Sequence, residues 1–245
     1  MENTFDILLF IARPAAGKSE TIHYLKQAPL AERAHRFHLG EFEEIDDFPM
    51  LWAWFEEDDL LARMGHPRLH NDAEGYFLYP YLWDVLIERI SLEYAKKLRD
   101  DPDYHRKFTT LIEFSRGTQH GGYARAFQHL SRDVVQKMAI LYIDVPWEES
   151  LRKNRRRFNP NKPDSILEHA LPDDKLERLY KETDWDQVRA GNPETLVIQG
   201  IDVPYVVFPN ADDVTTTGGE ALGVRLEERL GKLWEIYQRK SNLGN

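Results

Sequence analysis

Residues 5–19 of this 245-residue chain read Phe-Asp-Ile-Leu-Leu-Phe-Ile-Ala-Arg-Pro-Ala-Ala-Gly-Lys-Ser. The apolar run Asp6–Ile11 predicts a buried strand, and the pattern of Ser19–Gln27 predicts a helix soon after it. The turn between them matches the pattern G-x-x-x-x-G-K-[ST], with Ala12 in the place of the first glycine. In such a unit, backbone N–H groups at the start of the helix converge on an anion. The stretch therefore predicts an α/β fold with a phosphate-binding loop.

Each position of this loop has an expected task. Lys18 reaches the β- and γ-phosphates as a mobile point charge, and the Ser19 hydroxyl holds Mg²⁺. An alanine at position 12 is compatible with the loop only if its φ is negative. The residues expected to contact a nucleotide here are Ala12, Arg13, Pro14, Ala15, Ala16, Gly17, Lys18, Ser19 and Glu20. The alternative is an ordinary strand-to-helix turn with a capping Ser19 and a surface Lys18.

The overall composition is that of a globular chain with 42% hydrophobic and 30% charged residues. The absence of cysteine excludes disulfides and thiolate metal sites and fits a reducing cytoplasm, where we expect the protein to reside. The longest apolar run, Ile7–Ala12, is too short to span a bilayer, and no signal peptide is expected. A net charge of −10 argues against nucleic-acid binding, which normally needs a basic face.

Apolar runs alternate with helical patterns, which predicts one domain with a parallel sheet covered on both faces. The predicted strands are Asp6–Ile11, Arg36–Leu39, Thr109–Phe114, Ala139–Val145 and Thr195–Ile198, with Pro204–Phe208 as a sixth short extended piece. The predicted helices include Tyr79–Leu98, Gly122–Lys137 and Glu220–Arg239; the leucine stripe of the last favours core packing over a dimer seam. Residues 48–81 form an acceptor-side insertion, and residues 147–185 form a lid-like helical segment broken at Asn159–Pro163, before the capping-box spacing of Ser165–Glu168.

Glu113 and Arg116 stand at the end of the third predicted strand, where the carboxyl ends of parallel strands lie beside the phosphate loop. Glu113 can hold a Mg²⁺-bound water or accept a proton from an acceptor hydroxyl. The planar fork of Arg116 suits a phosphate or a carboxylate. The simpler alternative is a surface salt bridge between the two side chains.

Two further charged segments are candidates for the site. The basic run after the fourth strand predicts a lid whose arginines offset charge that develops during transfer; the chosen candidates are Arg152, Arg155 and Arg156. The acidic run after the second predicted strand is expected to frame the acceptor. The candidates for acceptor binding are Glu43, Asp46, Asp47, Arg116 and, in the insertion, Arg68. The alternative for both segments is a solvated charged surface.

The insertion is rich in aromatic side chains. Trp52, Trp54, Phe55, Tyr76 and Phe77 can stack on a planar base, although aromatic residues at this spacing more often form core. The histidines show no zinc-binding pattern, and we expect each to be structural or exposed.

Together, the loop, Glu113 and Arg116, and the Asp144-Val-Pro sequence with its arginine-rich helix resemble the P-loop kinase superfamily, in particular nucleoside monophosphate kinases. The whole chain is also similar to an uncharacterised bacterial family of P-loop proteins. That second resemblance rests on four phrases: Gly40–Pro49, Glu113–Gly117, Asn154–Pro160 and Val203–Phe208.

The kinase resemblance implies a three-layer α/β/α P-loop NTPase fold, with a parallel five-stranded sheet in the order 2-3-1-4-5. It implies ATP and Mg²⁺ at the loop, with Ser19 and Glu113 as metal ligands and Asn210 near the adenine. It also implies a lid after the fourth strand. The insertion differs from compact acceptor domains, so the resemblance does not name the acceptor.

The sequence thus predicts an ATP-dependent phosphotransferase acting on a small molecule, possible acceptors being a nucleoside, a nucleotide or a sugar. Its catalytic residues are expected among Lys18, Glu113, Arg116 and the lid arginines. A nucleotide-binding switch with slow hydrolysis, and a ligase or adenylyl transferase, stay open as alternatives. No guanine-reading Asn/Thr-Lys-x-Asp pattern is present, yet ATP and GTP are not separated, and the oligomeric state is not determined.

Overall fold

The computed structural model of the protein describes residues 3–157 and 170–243. The predicted helix break at Asn159–Pro163 and the capping-box spacing of Ser165–Glu168 lie outside the described residues. The same holds for the middle of the predicted lid-like segment.

A six-stranded sheet forms the centre of the molecule, in the order β2-β3-β1-β4-β6-β5. Its strands are β1 (Ile7–Ala12), β2 (Glu41–Asp46), β3 (Phe108–Phe114), β4 (Met138–Asp144), β5 (Thr195–Ile198) and β6 (Ile201–Pro209). The first five strands in that order are parallel, and β5 pairs antiparallel with β6. The predicted five-stranded sheet is therefore wrong in strand count and order.

The extra strand exists because β5 and β6 form a hairpin. Gln199 and Gly200, the two residues between the strands, both have positive φ, 51° and 77°. Two consecutive residues with positive φ give the tight turn whose twist matches that of paired antiparallel strands. The parallel position next to β4 is consequently taken by β6, whereas β5 forms the sheet edge.

The predicted second strand, Arg36–Leu39, is also wrong. Its first half, Arg36 and Phe37, belongs to a helix, Leu30–Phe37, which is followed by His38 with a left-handed φ of 54°. The true second strand is the acidic segment Glu41–Asp46, which the sequence pattern placed after the second strand. It lies at the sheet edge, where charged side chains are common because one side of the strand faces solvent.

The helices are α1 (Lys18–Gln27), α2 (Leu30–Phe37), α3 (Phe48–Arg63), α4 (Leu82–Asp100), α5 (Tyr104–Lys107), α6 (Gly122–His129), α7 (Arg132–Lys137), α8 (Trp147–Arg157), α9 (Asp173–Tyr180), α10 (Trp185–Val188), α11 (Val214–Thr217) and α12 (Gly219–Leu243). The predicted helix Gly122–Lys137 is thus two helices. Ser131 separates them, because its hydroxyl caps α7 by accepting a hydrogen bond from the Val134 N–H. No helix in the described ranges is long and apolar enough to cross a membrane.

The two faces of the sheet carry separate apolar clusters, so the protein has three layers. Residues of α1, α2 and α12 cover one face, and residues of α4, α6 and α7 cover the other. The leucine stripe of α12 is buried, which confirms its predicted core role; its members are Leu222, Leu226, Leu230 and Leu233. This packing fixes the carboxyl ends of the central strands in one plane.

We expect Leu226→Ala to lower the free energy of unfolding by about 2–5 kcal/mol, because the fully buried side chain leaves a cavity against the sheet. Val224 lies on the same helix but is 54% exposed, so Val224→Ala serves as the matched control. The control should change stability little or raise it slightly, since alanine has the higher helix propensity. Urea unfolding of both variants checks this; an equal loss in the two would contradict it.

Candidate functional site

The loop between β1 and α1 has the backbone that the sequence motif requires. Ala12 ends β1 fully buried and is not among the residues with positive φ, as its side chain demands. Two later residues take left-handed conformations, Ala15 with φ 57° and Gly17 with φ 111°. Gly17 directly precedes α1, and a Cβ at this position would overlap the Thr215 hydroxyl. Glycine is therefore needed here both for conformation and for space.

Side chains from three other elements hold this loop by its carbonyl groups. The Tyr123 hydroxyl donates to the Ala12 carbonyl at 3.0 Å, and the Ser150 hydroxyl donates to the Pro14 carbonyl at 2.7 Å. Asn210 Nδ2 donates to the Ala16 carbonyl at 2.8 Å. These contacts hold the loop in shape without a ligand. The first N–H groups of α1 have no partners within their own helix and can therefore bind an anion.

Asn210, expected to meet a nucleotide, instead supports the loop. Its side chain is fully buried. Nδ2 donates to both Ala16 and the Thr215 hydroxyl, and Oδ1 accepts from the Thr215 N–H at 3.3 Å. Asn210 therefore positions Thr215 against Gly17.

Lys18 points across the sheet edge towards the end of β3. Its Nζ donates to the Ser115 hydroxyl at 2.8 Å. Ser115 was not predicted, although it follows Glu113 by two residues and alternation along a strand could have indicated it. The neighbouring Ser19 is solvent-exposed on the first turn of α1.

Two carboxyl groups lie next to each other at this edge. Asp46 ends β2 and is the register partner of Glu113 near the end of β3. Burial, followed by the charges of Glu113 and Asp47, raises the pKa of Asp46 to about 8, while Lys18 opposes the shift. Burial also raises the pKa of Glu113, against the positive charges of Lys18 and Arg157. A pair of partly buried carboxyl groups within reach of one ammonium group can accept and release a proton near neutral pH.

Arg116 and Asp47 form an ion pair of 2.7 Å, with side chains only 2% and 8% exposed. The Arg116 guanidinium also donates to the Trp83 carbonyl at 3.3 Å and lies 5.1 Å from the centre of the Trp83 ring. The alternative of a surface salt bridge between Arg116 and Glu113 is therefore wrong, because Arg116 forms a buried pair with Asp47. Both residues lie beside the carboxyl pair but are occupied by protein contacts.

Two predicted acceptor-binding residues lie elsewhere. Glu43 is three residues before Asp46 on β2 and so points to the opposite face of the sheet. There it accepts hydrogen bonds from Lys97 at 2.5 Å and from the Tyr104 hydroxyl at 3.0 Å. Arg68 donates to the side chains of Asp59 and Asn71 within the insertion.

The chosen lid arginines are mostly held by acidic partners. Arg152 pairs with Glu149 at 2.6 Å and with Asp213 at 2.8 Å. Arg155 pairs with Asp173 at 2.6 Å, which links α8 to α9. Arg156 lies with these two arginines along a cavity of about 580 Å³.

Two other basic residues of α8 act on the loop and the carboxyl pair, Lys153 through hydrogen bonds and Arg157 through its charge. Lys153 is buried, and its Nζ donates to Asp213 at 2.8 Å and to the Thr215 hydroxyl at 3.1 Å. The positive charge of Arg157 favours the ionised form of Glu113 and so lowers its pKa, against the effect of burial. Within a run of five basic residues, sequence pattern alone did not separate the inward positions from the outward ones.

The segment 170–184 ties three parts of the site together. The Arg13 guanidinium donates to the Lys181 carbonyl at 3.1 Å, and the Thr118 N–H donates to the Glu182 carbonyl at 2.9 Å. Lys175 Nζ donates to the Glu74 carbonyl at 2.9 Å. The phosphate loop, the exit of β3 and the insertion are thereby joined by one stretch of chain.

The aromatic residues of the insertion pack mainly on one another. Trp54 stacks on His70 with ring centres 4.9 Å apart, and Phe77 contacts both Phe55 and Trp83. These rings therefore pack together at intermediate exposure and outside the buried core of the sheet.

His120, which the sequence did not single out, lies under α9 beside this site. Its ring stacks on Trp83 with centres 3.7 Å apart and meets Tyr180 edge-on at 5.0 Å. Burial, followed by the nearby charge of Arg116, lowers the pKa of His120 to about 3. The imidazole is therefore neutral in the folded protein at physiological pH.

This histidine should make the fold sensitive to acid. In the unfolded chain His120 binds a proton below about pH 6.5, whereas in the folded protein it does so only below about pH 3. The free energy of unfolding therefore falls as the pH falls between these two values. The variant His120→Phe keeps a ring on Trp83 but has no titrating group there. We expect its free energy of unfolding to fall by roughly 1–2 kcal/mol less than that of the parent between pH 7.5 and pH 5. Urea unfolding at both pH values measures the difference. The exposed His23→Phe is the control, and an identical pH slope in the parent and His120→Phe would contradict the interpretation.

The site offers few protein ligands for a metal ion. No group of three or more acidic, histidine or cysteine side chains suited to hold a metal occurs within residues 3–157 and 170–243. Mg²⁺ is commonly held by one or two protein groups together with water and phosphate oxygens, so the donors present suffice for a nucleotide-borne ion.

The fold and this site define an α/β protein with a mostly parallel sheet and a candidate phosphate-binding loop at the carboxyl edge. No protein-family model and no curated protein matches the chain. Among solved structures, an unliganded sugar kinase from Janibacter sp. HTCC2649 is 16% identical to this chain with a TM-score of 0.38. The alignment covers 95% of this chain and 98% of the sugar kinase chain. A ParA family ATPase from Chlorobium tepidum TLS is 11% identical with a TM-score of 0.25, and the alignment covers 99% of this chain and 100% of the ATPase chain. Similarities this weak carry no argument about this chain, and the resemblance to a bacterial P-loop family stays a prediction.

Proposed function

We propose that this protein is an ATP-dependent phosphotransferase that acts on a hydroxyl group of a small molecule. The observation that carries the proposal is the position of Lys18 at the ends of three adjacent strands, where its ammonium group donates to Ser115 and its charge acts on the paired Asp46 and Glu113. A cation at the start of a helix suits phosphate, and a carboxyl group beside it suits a hydroxyl that must lose its proton.

The residues present fit a nucleotide with its metal ion. Gly17 lets the backbone turn into α1, Lys18 supplies a positive charge, and Ser19 is an accessible hydroxyl on the first helical turn. Ser19 and Glu113 are the proposed Mg²⁺ donors. When bound, ATP supplies the phosphoryl group and Mg²⁺ offsets part of its charge.

The protein's own groups then have distinct tasks. Lys18 and the N–H groups of the loop bind and orient phosphate oxygens. Asp46 accepts the proton of the acceptor hydroxyl, a role for which its carboxylate form is mainly present at mildly alkaline pH, above its pKa of about 8. Arg157 and the predicted lid arginine Arg156 supply positive charge from α8.

The segment 170–184 limits access of water to this edge of the sheet. It is anchored to the loop through Arg13 and to the insertion through Lys175. Exclusion of water favours transfer to the acceptor over hydrolysis.

The first test is formation of ADP from Mg·ATP with a panel of nucleosides, nucleotides, sugars and small alcohols. We expect one acceptor class to stimulate ADP release and Lys18→Ala to lower that rate by about a hundredfold or more, because a positive charge aimed at the phosphates is lost. Lys26→Ala is the matched control, since Lys26 lies on the same helix and pairs with Glu44 on the surface.

Unchanged activity of a folded Lys18→Ala variant would overturn the site assignment. Tight ATP binding without any acceptor-stimulated release would favour a nucleotide-binding switch. AMP as the product would indicate a ligase or adenylyl transferase.

The proton-accepting role of Asp46 makes a separate prediction. Asp46→Asn should lower kcat by about 10²–10⁴, because the amide keeps the shape but cannot take the proton. Glu43→Gln is the control on the same strand, where the side chain faces Lys97 and Tyr104 instead of the site. Steady-state kinetics with the best acceptor measures both; equal effects in the two variants would contradict the assignment.

A further inference from the structure

We propose that a second binding site, for a small molecule carrying phosphate or carboxylate groups, lies at the edge of the sheet beyond β6. A cavity of about 610 Å³ opens there. Its polar lining includes Asp186, Arg189, Asn192, Tyr205, Arg229 and Lys232. The volume lies within the range of typical ligand pockets.

The cavity exists because β5 is shorter than β6. The hairpin pairs Thr195 with Pro204 and ends there, whereas β6 continues to Pro209 against β4 alone. Beyond Pro204 the outer edge of β6 therefore has no neighbouring strand. The turn 189–193 and helix α12 flank this open stretch, and Tyr205, Val206 and Val207 form its floor.

The charge of the lining favours an anion. Three basic side chains, Arg189, Arg229 and Lys232, face one acidic side chain, Asp186, in a protein whose net charge is −10. Arg189 and Asp186 pair at 2.7 Å. Arg229 and Lys232 are three residues apart on α12 and therefore share a face of the helix.

Arg229 provides the most specific indication of a ligand. Its Nε is buried and has no hydrogen-bond partner, although a buried N–H donor is normally paired. One terminal nitrogen, Nη2, lies 3.3 Å from Glu228 at the rim. The side chain as a whole is 30% exposed, so the terminal nitrogens of its planar guanidinium fork are accessible and match the geometry of carboxylate and phosphate oxygens.

This cavity is separate from the phosphate loop. The loop follows β1, and β4 and β6 lie between β1 and the cavity. Two strand spacings amount to about 10 Å. A phosphate bound at Lys18 therefore does not occupy the cavity, and the inference holds whether or not the protein is a kinase.

The test uses pyrophosphate and citrate as probes, in calorimetric titrations of the full chain carrying Lys18→Ala. Removing Lys18 suppresses binding at the loop, so the remaining binding reports on the cavity. We expect Arg229→Gln combined with Lys232→Gln to weaken this remaining binding at least tenfold. The matched control, Lys96→Gln with Arg99→Gln, removes the same charges from the exposed face of α4 and should leave it unchanged.

Preference between the probes distinguishes the ligand class: tighter pyrophosphate binding indicates a phosphorylated ligand, and tighter citrate binding a polycarboxylate. If the double variant fails to fold by circular dichroism, Arg189→Gln and hydrogen exchange replace it. The Val207 amide should then gain protection with pyrophosphate in the Lys18→Ala protein. Absence of binding in that protein, or equal loss in the control, would overturn the proposal.

Discussion

The contact between Thr215 and Gly17 is the constraint on which the candidate site depends. Gly17 must be left-handed to turn β1 into α1, and the Thr215 hydroxyl occupies the space that any side chain at this position would need. Thr215 is in turn held by Asn210 and by the buried Lys153. A residue at the end of β6 and one on α8 thus determine the shape of a loop that is distant in sequence. Because buried polar groups are costly unless paired, this network admits few alternative arrangements.

A second consequence concerns charge at the same edge. Arg116 neutralises Asp47, and this pair is almost fully buried under α9 and the Trp83–His120 stack. Burial and the charges of Glu113 and Asp47 still raise the pKa of Asp46 to about 8 against the opposing charge of Lys18, so its carboxyl group stays protonated to an unusually high pH. Such an arrangement costs stability and is typical of sites where a proton must move. The candidate site thus combines a loop held in shape by buried polar contacts with a carboxyl group whose proton affinity is set by its surroundings.

Local sequence signals predicted those parts of the fold that depend on near neighbours. The sequence predicted the strand–loop–helix unit, the apolar strands β3 and β4, and the buried leucine face of α12. Each of these features depends on consecutive apolar residues or on apolar residues at helical spacing. The acidic strand β2 was missed, since an edge strand does not need an apolar face. The hairpin was missed because it requires positive φ at Gln199, a residue type that gives no such signal.

The sequence by itself determined that a helix follows the first strand after a short turn, and that Glu113 and Arg116 stand at the end of another central strand. The tertiary structure decided what each side chain contacts. It paired Arg116 with Asp47, bonded Asn210 to the Ala16 carbonyl, brought Ser115 to Lys18, and paired Arg152 with both Glu149 and Asp213. The type of a charged residue limits which interactions it can make. Burial and the partner that another segment of the chain provides determine which of these interactions forms.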